Sequence, residues 1–264
     1  RTVCENINIK EDFIRYALDP EEKARIDIED DDNTILFIID TPIIDIESGA
    51  KVYSTMPIGV IFVRDDYIIT VSLNKNQILE ELKKKLKTIT TYKKSRMLLQ
   101  IFYANSEKFL DLLKKLNKET EIAENVLKNS MKNKELLKLL SLEKGLVYFT
   151  TSLKSNEVVM EQTMRGNLIK LYDEDEDILE DAIIENKQAI EMANIYRDIL
   201  TGTMDAYASI ISNNLNGVMK YLTSITIILA IPTMIASYWG MNVGPPLQNS
   251  PIGFVLIIVI SILI

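Results

Sequence analysis

Apolar positions change rhythm along the chain, and the changes predict its elements. Over residues 1–75 the pattern is mixed α/β. Lys10 to Leu18 predicts a short helix, stopped by Asp19-Pro20, whose proline cannot continue it. Thr34 to Ile39 is a near-continuous apolar run, the pattern of a buried strand. Ile58–Val63 and Tyr67–Val71 predict two further strands, with Arg64-Asp65-Asp66 as the hairpin turn between them. From Asn76 the texture becomes Lys/Glu/Leu-rich and predicts helices at Ile78–Thr90, Lys93–Asn129 and Lys132–Met164. In the second of these, Leu98, Phe102, Phe109, Leu112, Leu113, Leu116 and Ile122 recur near helical spacing and predict its core stripe.

Gly166 and the acidic run Asp173 to Asp177 punctuate the chain. Two readings of the run are open: carboxylates at the positive end of a helix, or a solvent-facing patch that attracts cations. Beyond it no proline interrupts a helix until Pro232. Ile178, Ala182, Glu185, Ala189, Met192, Tyr196, Ile199, Thr203, Ala206 and Ile210 follow alternating steps of four and three, the period of a helix packed along its length on others. Ala, Glu and Thr on this seam suit a multi-helix stalk better than a two-stranded zipper. The stalk is expected to run into the next segment as one helix.

That segment changes solvent. Every Lys, Arg, Asp and Glu lies at or before Lys220, and the 44 residues from Tyr221 to Ile264 carry no charge. Leu222 to Ala236 is apolar apart from Thr and Ser, and Tyr221 and Tyr238-Trp239 sit where interfacial aromatics belong. Counted through Trp239 it reaches the roughly 20 residues a bilayer core requires. Lys220 before the span and an uncharged loop after it place the N-terminal region in the cytoplasm by the positive-inside rule. Pro251 opens a second apolar run, Ile252 to Ile264, too short to span; we read the chain as cut within a second membrane helix.

One face of the long helix carries Asp205, Ser212, Asn216, Met219, Thr226, Ala230, Thr233 and Ser237. Hydroxyls and amides in hydrocarbon are expected to face other helices or water, because unpartnered they cost up to several kcal/mol. Helix packing and pore lining are both open for this stripe. One or two spans cannot enclose a pore, so a pore requires several copies around an axis. Pro232 removes one backbone hydrogen bond within the span; a kink or a simply tolerated proline are the two readings.

Composition narrows the chemistry. The absence of His and the single Cys4 exclude a disulfide framework, a Cys/His zinc site, a haem His and a Ser-His-Asp triad within this chain. No nucleophile or phosphate loop is recognisable, so no enzyme is expected. A net charge of −8 argues against nucleic acid and for cations as partners. No signal peptide is visible, and the start Arg1-Thr2-Val3 without Met fits a trimmed N-terminus.

Tyr238-Trp239-Gly240-Met241-Asn242, after one long helix and before a second apolar run, resembles the CorA family of divalent-cation channels. Tyr196-Arg197-Asp198-Ile199, Met204-Asp205-Ala206-Tyr207 and Asn216-Gly217-Val218-Met219-Lys220 are similar to that family's stalk helix. The resemblance implies an α+β chain in a homopentameric funnel. Residues 1–75 would form the sheet region, 76–172 the cytoplasmic helices, and 173–220 the stalk. The first transmembrane helix would take 221–239, the external loop 240–250, and the incomplete second helix 251–264. It implies a selectivity filter of Gly240, Met241 and Asn242. The pore face would run through Asn216, Met219, Leu222, Ala230, Thr233 and Ser237, with Met219 and Leu222 at a hydrophobic gate and Asp205 in an acidic ring; the polar stripe adds Ser212 and Thr226 to the expected lining. It further implies closure by cytoplasmic Mg²⁺ at acidic sites between subunits, with Asp181 as one ligand and its partner among Asp30, Asp31 and Asp32. An exposed acidic loop is the other reading of Asp30 to Asp32.

Mg²⁺ is thus expected as both transported and regulatory ion, with Co²⁺ and Ni²⁺ as secondary cargo and the lipid bilayer as surroundings. A ring of amide and carbonyl oxygens can hold the waters of an ion that dehydrates reluctantly, and release it again. Departures are the acid-free loop Val243 to Ser250, the small Ala230, and Trp239 where Tyr is usual. The rivals are a same-family transporter for another divalent cation such as Zn²⁺, against which Met241 argues, and a membrane-anchored helical scaffold without flux.

Overall fold

The computed structural model describes residues 7, 9–29, 34–47, 49–63, 67–85, 94–130, 133–166, 168–240, 244 and 250–263. It divides into two compact units, Arg1–Gly202 and Thr203–Ile264. The first is an α+β unit built around four antiparallel strands in chain order: β1 (Arg25–Glu29), β2 (Thr34–Glu47), β3 (Ala50–Val63) and β4 (Tyr67–Ser72). The short helix α1 (Glu11–Ala17) packs against β3 and β4. The helices α2 (Gln77–Lys85), α3 (Lys94–Ser130) and α4 (Asn133–Arg165) follow, and α5 (Asp173–Trp239) begins in this unit.

The apolar run in β2 is continuous because both its faces are covered. Successive strand residues point to opposite faces. Leu36 and Ile38 join Ile61, Val63, Ile9 and Phe13 on one side. Phe37 and Ile39 join Ile58, Val60 and Phe62 on the other, against Leu98, Leu99, Phe102, Val159, Met160, Leu179 and Ala182. Phe37 and Phe62 meet edge to face at 5.5 Å.

The strands are longer than their apolar runs predict. β2 continues through Asp40, Thr41 and Pro42 to Glu47, and β3 starts at Ala50 rather than Ile58. Glu47 pairs with Ala50 across a two-residue connection in which Gly49 adopts φ +81°, a left-handed conformation other residues reach with difficulty. Pairing with β1 ends at Ile38, so β2 beyond it has a free edge. Buried side-chain amides supply the missing backbone partners. The Asp40 N–H donates to Asn156 Oδ1 (2.9 Å), and the Asp40 carbonyl accepts from Asn156 Nδ2 (2.8 Å) and Asn105 Nδ2 (2.9 Å). The sequence reading placed no strand at β1 and left these amides unassigned.

The long helices lie within a residue of their predicted bounds. α2 ends at Lys85; the remainder of the predicted helix to Thr90 falls outside the described residues, as do Arg64-Asp65-Asp66 and Cys4. On α3 the predicted stripe is buried except for Ile122, which is 50% exposed. Thr120, Ala123 and Leu127 continue the buried line from Leu116 at steps of four, three and four.

Close approach of α4 to β3 depends on Gly145. A Cβ built there would lie 2.7 Å from Tyr53 Cβ and 3.2 Å from the Tyr53 carbonyl. Gly145→Ala is therefore expected to destabilise the unit by about 1–3 kcal/mol through overpacking, read from the shift in denaturant midpoint.

The stalk period of 3.5 residues is observed, but its phase differs from the predicted one. On the first-unit part of α5 the buried residues are Asp175, Leu179, Ala182, Asn186, Ala189, Ala193 and Leu200 along one seam, with Ile183 beside it. Ala182 and Ala189 were placed correctly; Ile178, Glu185, Met192 and Ile199 sit one residue to the side, and Ile199 is 55% exposed. Two polar residues on the true seam misdirected the apolar count. Asn186 donates from Nδ2 to the Leu153 carbonyl at 3.0 Å, and Asp175 accepts from Arg96 Nε at 2.8 Å.

The second unit holds the rest of α5 and the helix α6 (Pro251–Leu263), whose first residue is the proline expected to open it. Pro232 lies inside α5.

Candidate functional site

Two groups of predicted site residues lie on α5. Asp205, Ser212, Asn216, Met219, Thr226, Ala230, Thr233 and Ser237 are all helical and exposed in the single chain. At 3.6 residues per turn they fall within an arc of roughly 100°, with Leu222 at its margin. Met219 and Leu222 are 51% and 54% exposed. Ile227, Ile228, Leu229, Met234 and Tyr238 are exposed as well, so apolar surface surrounds this part of the helix. Among the described residues α5 alone is long and apolar enough to cross a membrane.

Four hydroxyls of the span are bonded within the helix. Thr226 Oγ1 donates to the Leu222 carbonyl and Thr233 Oγ1 to the Leu229 carbonyl, each at 2.8 Å. Thr223 and Ser224 do the same to Met219 and Lys220. Such bonds remove the hydroxyl proton as an unsatisfied donor, which lets Thr and Ser sit in an apolar span.

Gly240 follows the last helical residue, and its N–H donates to the Ala236 carbonyl at 2.9 Å. Met241 and Asn242 lie outside the described residues, as do Asp30, Asp31 and Asp32.

Asp181 is exposed on the first-unit part of α5, one turn before Glu185. Opposite them on α3 are Tyr103 and Glu107, also one turn apart. Ser106 Oγ donates to the Ala182 carbonyl at 3.1 Å and fixes the two helices in this register. The Tyr103 phenol is raised above its usual pKa by the charge of Glu107, then by burial and by Glu185 and Asp181. The charges of three carboxylates thus act on one phenol, and none of the three forms an ion pair among the described residues. Within the single chain no three acidic, His or Cys side chains among the described residues are arranged to hold a metal. Glu107 was not singled out from sequence, and Glu185 was read only as a seam residue; the four-residue spacing of Asp181 and Glu185 was the available signal.

The acidic run at the start of α5 has a structural occupation. Glu174 Oε2 and Asp175 Oδ1 accept from Arg96 Nη2 (2.7 Å) and Nε (2.8 Å), and Asp175 is fully buried. These two carboxylates anchor the start of α5 to α3; the run lies in the helix's first turn, as the helix-terminus reading expects, whereas the pairing with Arg96 was not predicted.

The chain matches the family described as CorA-like Mg2+ transporter protein over residues 1–264. It is 29% identical to the cobalt/magnesium transport protein CorA of Methanocaldococcus jannaschii, over 99% of this chain and 82% of that protein. The Thermotoga maritima protein of the same description is 35% identical over 111 residues, 38% of this chain and 32% of that one. The complete structure of the M. jannaschii CorA magnesium transporter superposes with a TM-score of 0.83 at 28% identity, covering 99% of this chain and 82% of the other. The sheet, long helices and apolar α5 thus find their counterpart along nearly the whole chain, which belongs to the CorA-like Mg2+ transporter family.

Proposed function

We propose that this protein is a membrane channel for divalent cations, with Mg²⁺ as its principal cargo, assembled as a homopentamer whose α5 helices line the pore. The observation that carries this reading is the family match over residues 1–264, together with Gly240-Met241-Asn242 placed directly after the apolar part of α5. The work is transport and no catalysis is required. The polar stripe of α5 supports a shared axis, since its side chains need water or neighbouring helices whereas the apolar surface around them can face lipid. Lys220 at the N-terminal end of the span supports a cytoplasmic first unit.

In this reading the filter residues are Gly240, Met241 and Asn242. Ser212, Asn216, Met219, Leu222, Thr226, Ala230, Thr233 and Ser237 line the pore above the acidic ring of Asp205. The test is Mg²⁺ entry into dye-loaded liposomes by the full-length protein. Absence of flux from well-assembled protein overturns the channel reading. Asn242→Ala removes one hydrogen-bonding amide per subunit, each worth about 1 kcal/mol. It is expected to lower the rate by roughly tenfold or more.

Regulation by cytoplasmic Mg²⁺ is the second part of the proposal, with Asp181 as ligand and Asp30, Asp31 or Asp32 of a neighbouring subunit opposite. The negative charges of Asp181, Glu185 and Glu107, all felt by Tyr103 and without a paired base among the described residues, support it; hard Mg²⁺ prefers carboxylate oxygens. At high internal Mg²⁺, Asp181→Ala is expected to sustain severalfold more flux than the wild type. Equal inhibition of the two proteins removes Asp181 from the gate.

A further inference from the structure

The first unit contains a cavity of about 220 Å³ that the transport reading does not use. It lies between the second half of β2, the segment before α2, and α3. Its lining divides by chemistry. Met56, Ile78 and Leu112 form an apolar wall, with Ile78 and Leu112 almost fully buried. Lys75 and Lys108 provide two ammonium groups, and Asp45 a single carboxylate. In a chain of net charge −8, a cavity with a local excess of positive charge stands against the background.

The two lysines are available. Lys108 is half-buried on α3 and forms no ion pair among the described residues. Lys75 reaches only Glu80, at 3.9 Å, with its side chain 80% exposed. The wall between them is held rigidly. Asn76 accepts from the N–H groups of Ile78 and Leu79 through Oδ1, and donates from Nδ2 to Thr41 Oγ1 at 2.8 Å, pinning the start of α2 to β2. The first residues of that helix, Gln77 and Ile78, line the same space. At about 220 Å³ the cavity is smaller than the roughly 300–1,000 Å³ of drug-sized pockets.

We propose that this cavity binds a small organic anion: a carboxylate or phosphate head held by Lys108 and Lys75, with a short apolar body against Met56, Ile78 and Leu112. Asp45 limits the charge, since a polyanion brought against it is repelled. The proposal does not rest on the transport reading, because its test measures binding alone.

The experiment is calorimetric titration of the detergent-solubilised full chain, without Mg²⁺ and at low ionic strength. Four probes separate head from body: n-butyl phosphate, butyrate, n-butanol and inorganic phosphate. At least one of the two butyl anions is expected to saturate, and whichever binds more tightly identifies the head group. n-Butanol and inorganic phosphate are expected to bind at least about tenfold more weakly, and Lys108→Gln to weaken the anion about fivefold or more. Lys108→Arg keeps the charge and restores binding, which separates loss of the site from loss of the fold. Asp45→Asn removes a repulsion and tightens binding about threefold. Saturation by neither anion, equal binding of n-butanol or inorganic phosphate, or unchanged binding in Lys108→Gln overturns the assignment.

Discussion

Phe149→Ala is expected to destabilise the first unit by about 3–5 kcal/mol. Phe149 on α4 is fully buried, and its ring meets Phe109 of α3 edge to face at 5.2 Å and Tyr53 of β3 at 6.1 Å. One side chain therefore bridges two helices and the sheet. Its removal leaves a cavity walled by secondary-structure elements, which cannot collapse into it as a loop could. Edge-to-face pairs add about 0.5–1.5 kcal/mol beyond area burial, so both contacts contribute to the loss. Phe149→Leu keeps most of the volume and is expected to cost distinctly less. Chemical denaturation of the solubilised chain, followed by circular dichroism, gives the comparison. A loss below about 1 kcal/mol for the alanine variant would show that the site repacks and that the bridge is dispensable.

The second large effect concerns Asp40, and its sign is opposite. Asp40 is 7% exposed, and burial pushes its carboxyl up to about 6, opposed by a hydrogen bond from Ser152 and by the Ala24 N–H. Glu22 raises it further and Lys23 lowers it. A folded-state pKa above the unfolded value of 3.8 means the folded state holds the proton more tightly. The stabilisation is fully present below pH 3.8 and is lost as pH rises through about 6. Above that point the buried carboxylate costs about 2–3 kcal/mol. Asp40→Asn retains an acceptor for Ser152 and Ala24 and removes the charge, so a gain of about 1–2 kcal/mol is expected at pH 7.5 after one weakly satisfied amide donor is counted. The difference between variant and wild type, measured from pH 4 to 7.5, isolates this group from the other carboxylates. A difference that does not change with pH would exclude Asp40 as the titrating group.

Much of the fold was legible because its long helices announce themselves by period. α3 and α4 were predicted within a residue of both ends, α3 because Leu and Phe recur at helical spacing along it and α4 from its long Lys/Glu/Leu-rich, proline-free run. The sheet was legible only where it is apolar. Asp40, Thr41 and Pro42 read as an end to β2, and β1 has no apolar run long enough to stand out; the former is kept in the strand by Asn156 and Asn105, which no local pattern reveals. The stalk seam shows the same limit. Its period is a property of spacing, but its phase depends on Asp175 and Asn186 being buried, and that required Arg96 and Leu153 to be in place. In the candidate site, the helical residues of the stripe and Asp181 could be placed on α5, whereas the surroundings of Asp181 arise from α3, some 75 residues earlier in the chain. Contacts at that separation leave no periodic trace.

The internally bonded hydroxyls of α5 carry a consequence for the sign of the permeant ion. Thr226 and Thr233 have each committed their proton to a carbonyl one turn back, so only lone pairs remain to face outward. Water around a cation turns its hydrogens away from the ion. A hydrated cation passing such a surface meets acceptors with its hydrogens. A hydrated anion turns more oxygens outward, and these two hydroxyls offer it no donor. If the proposed pore face is occupied as drawn, these two threonines discriminate by the polarity of the hydration shell, without carrying a charge and without removing a single water.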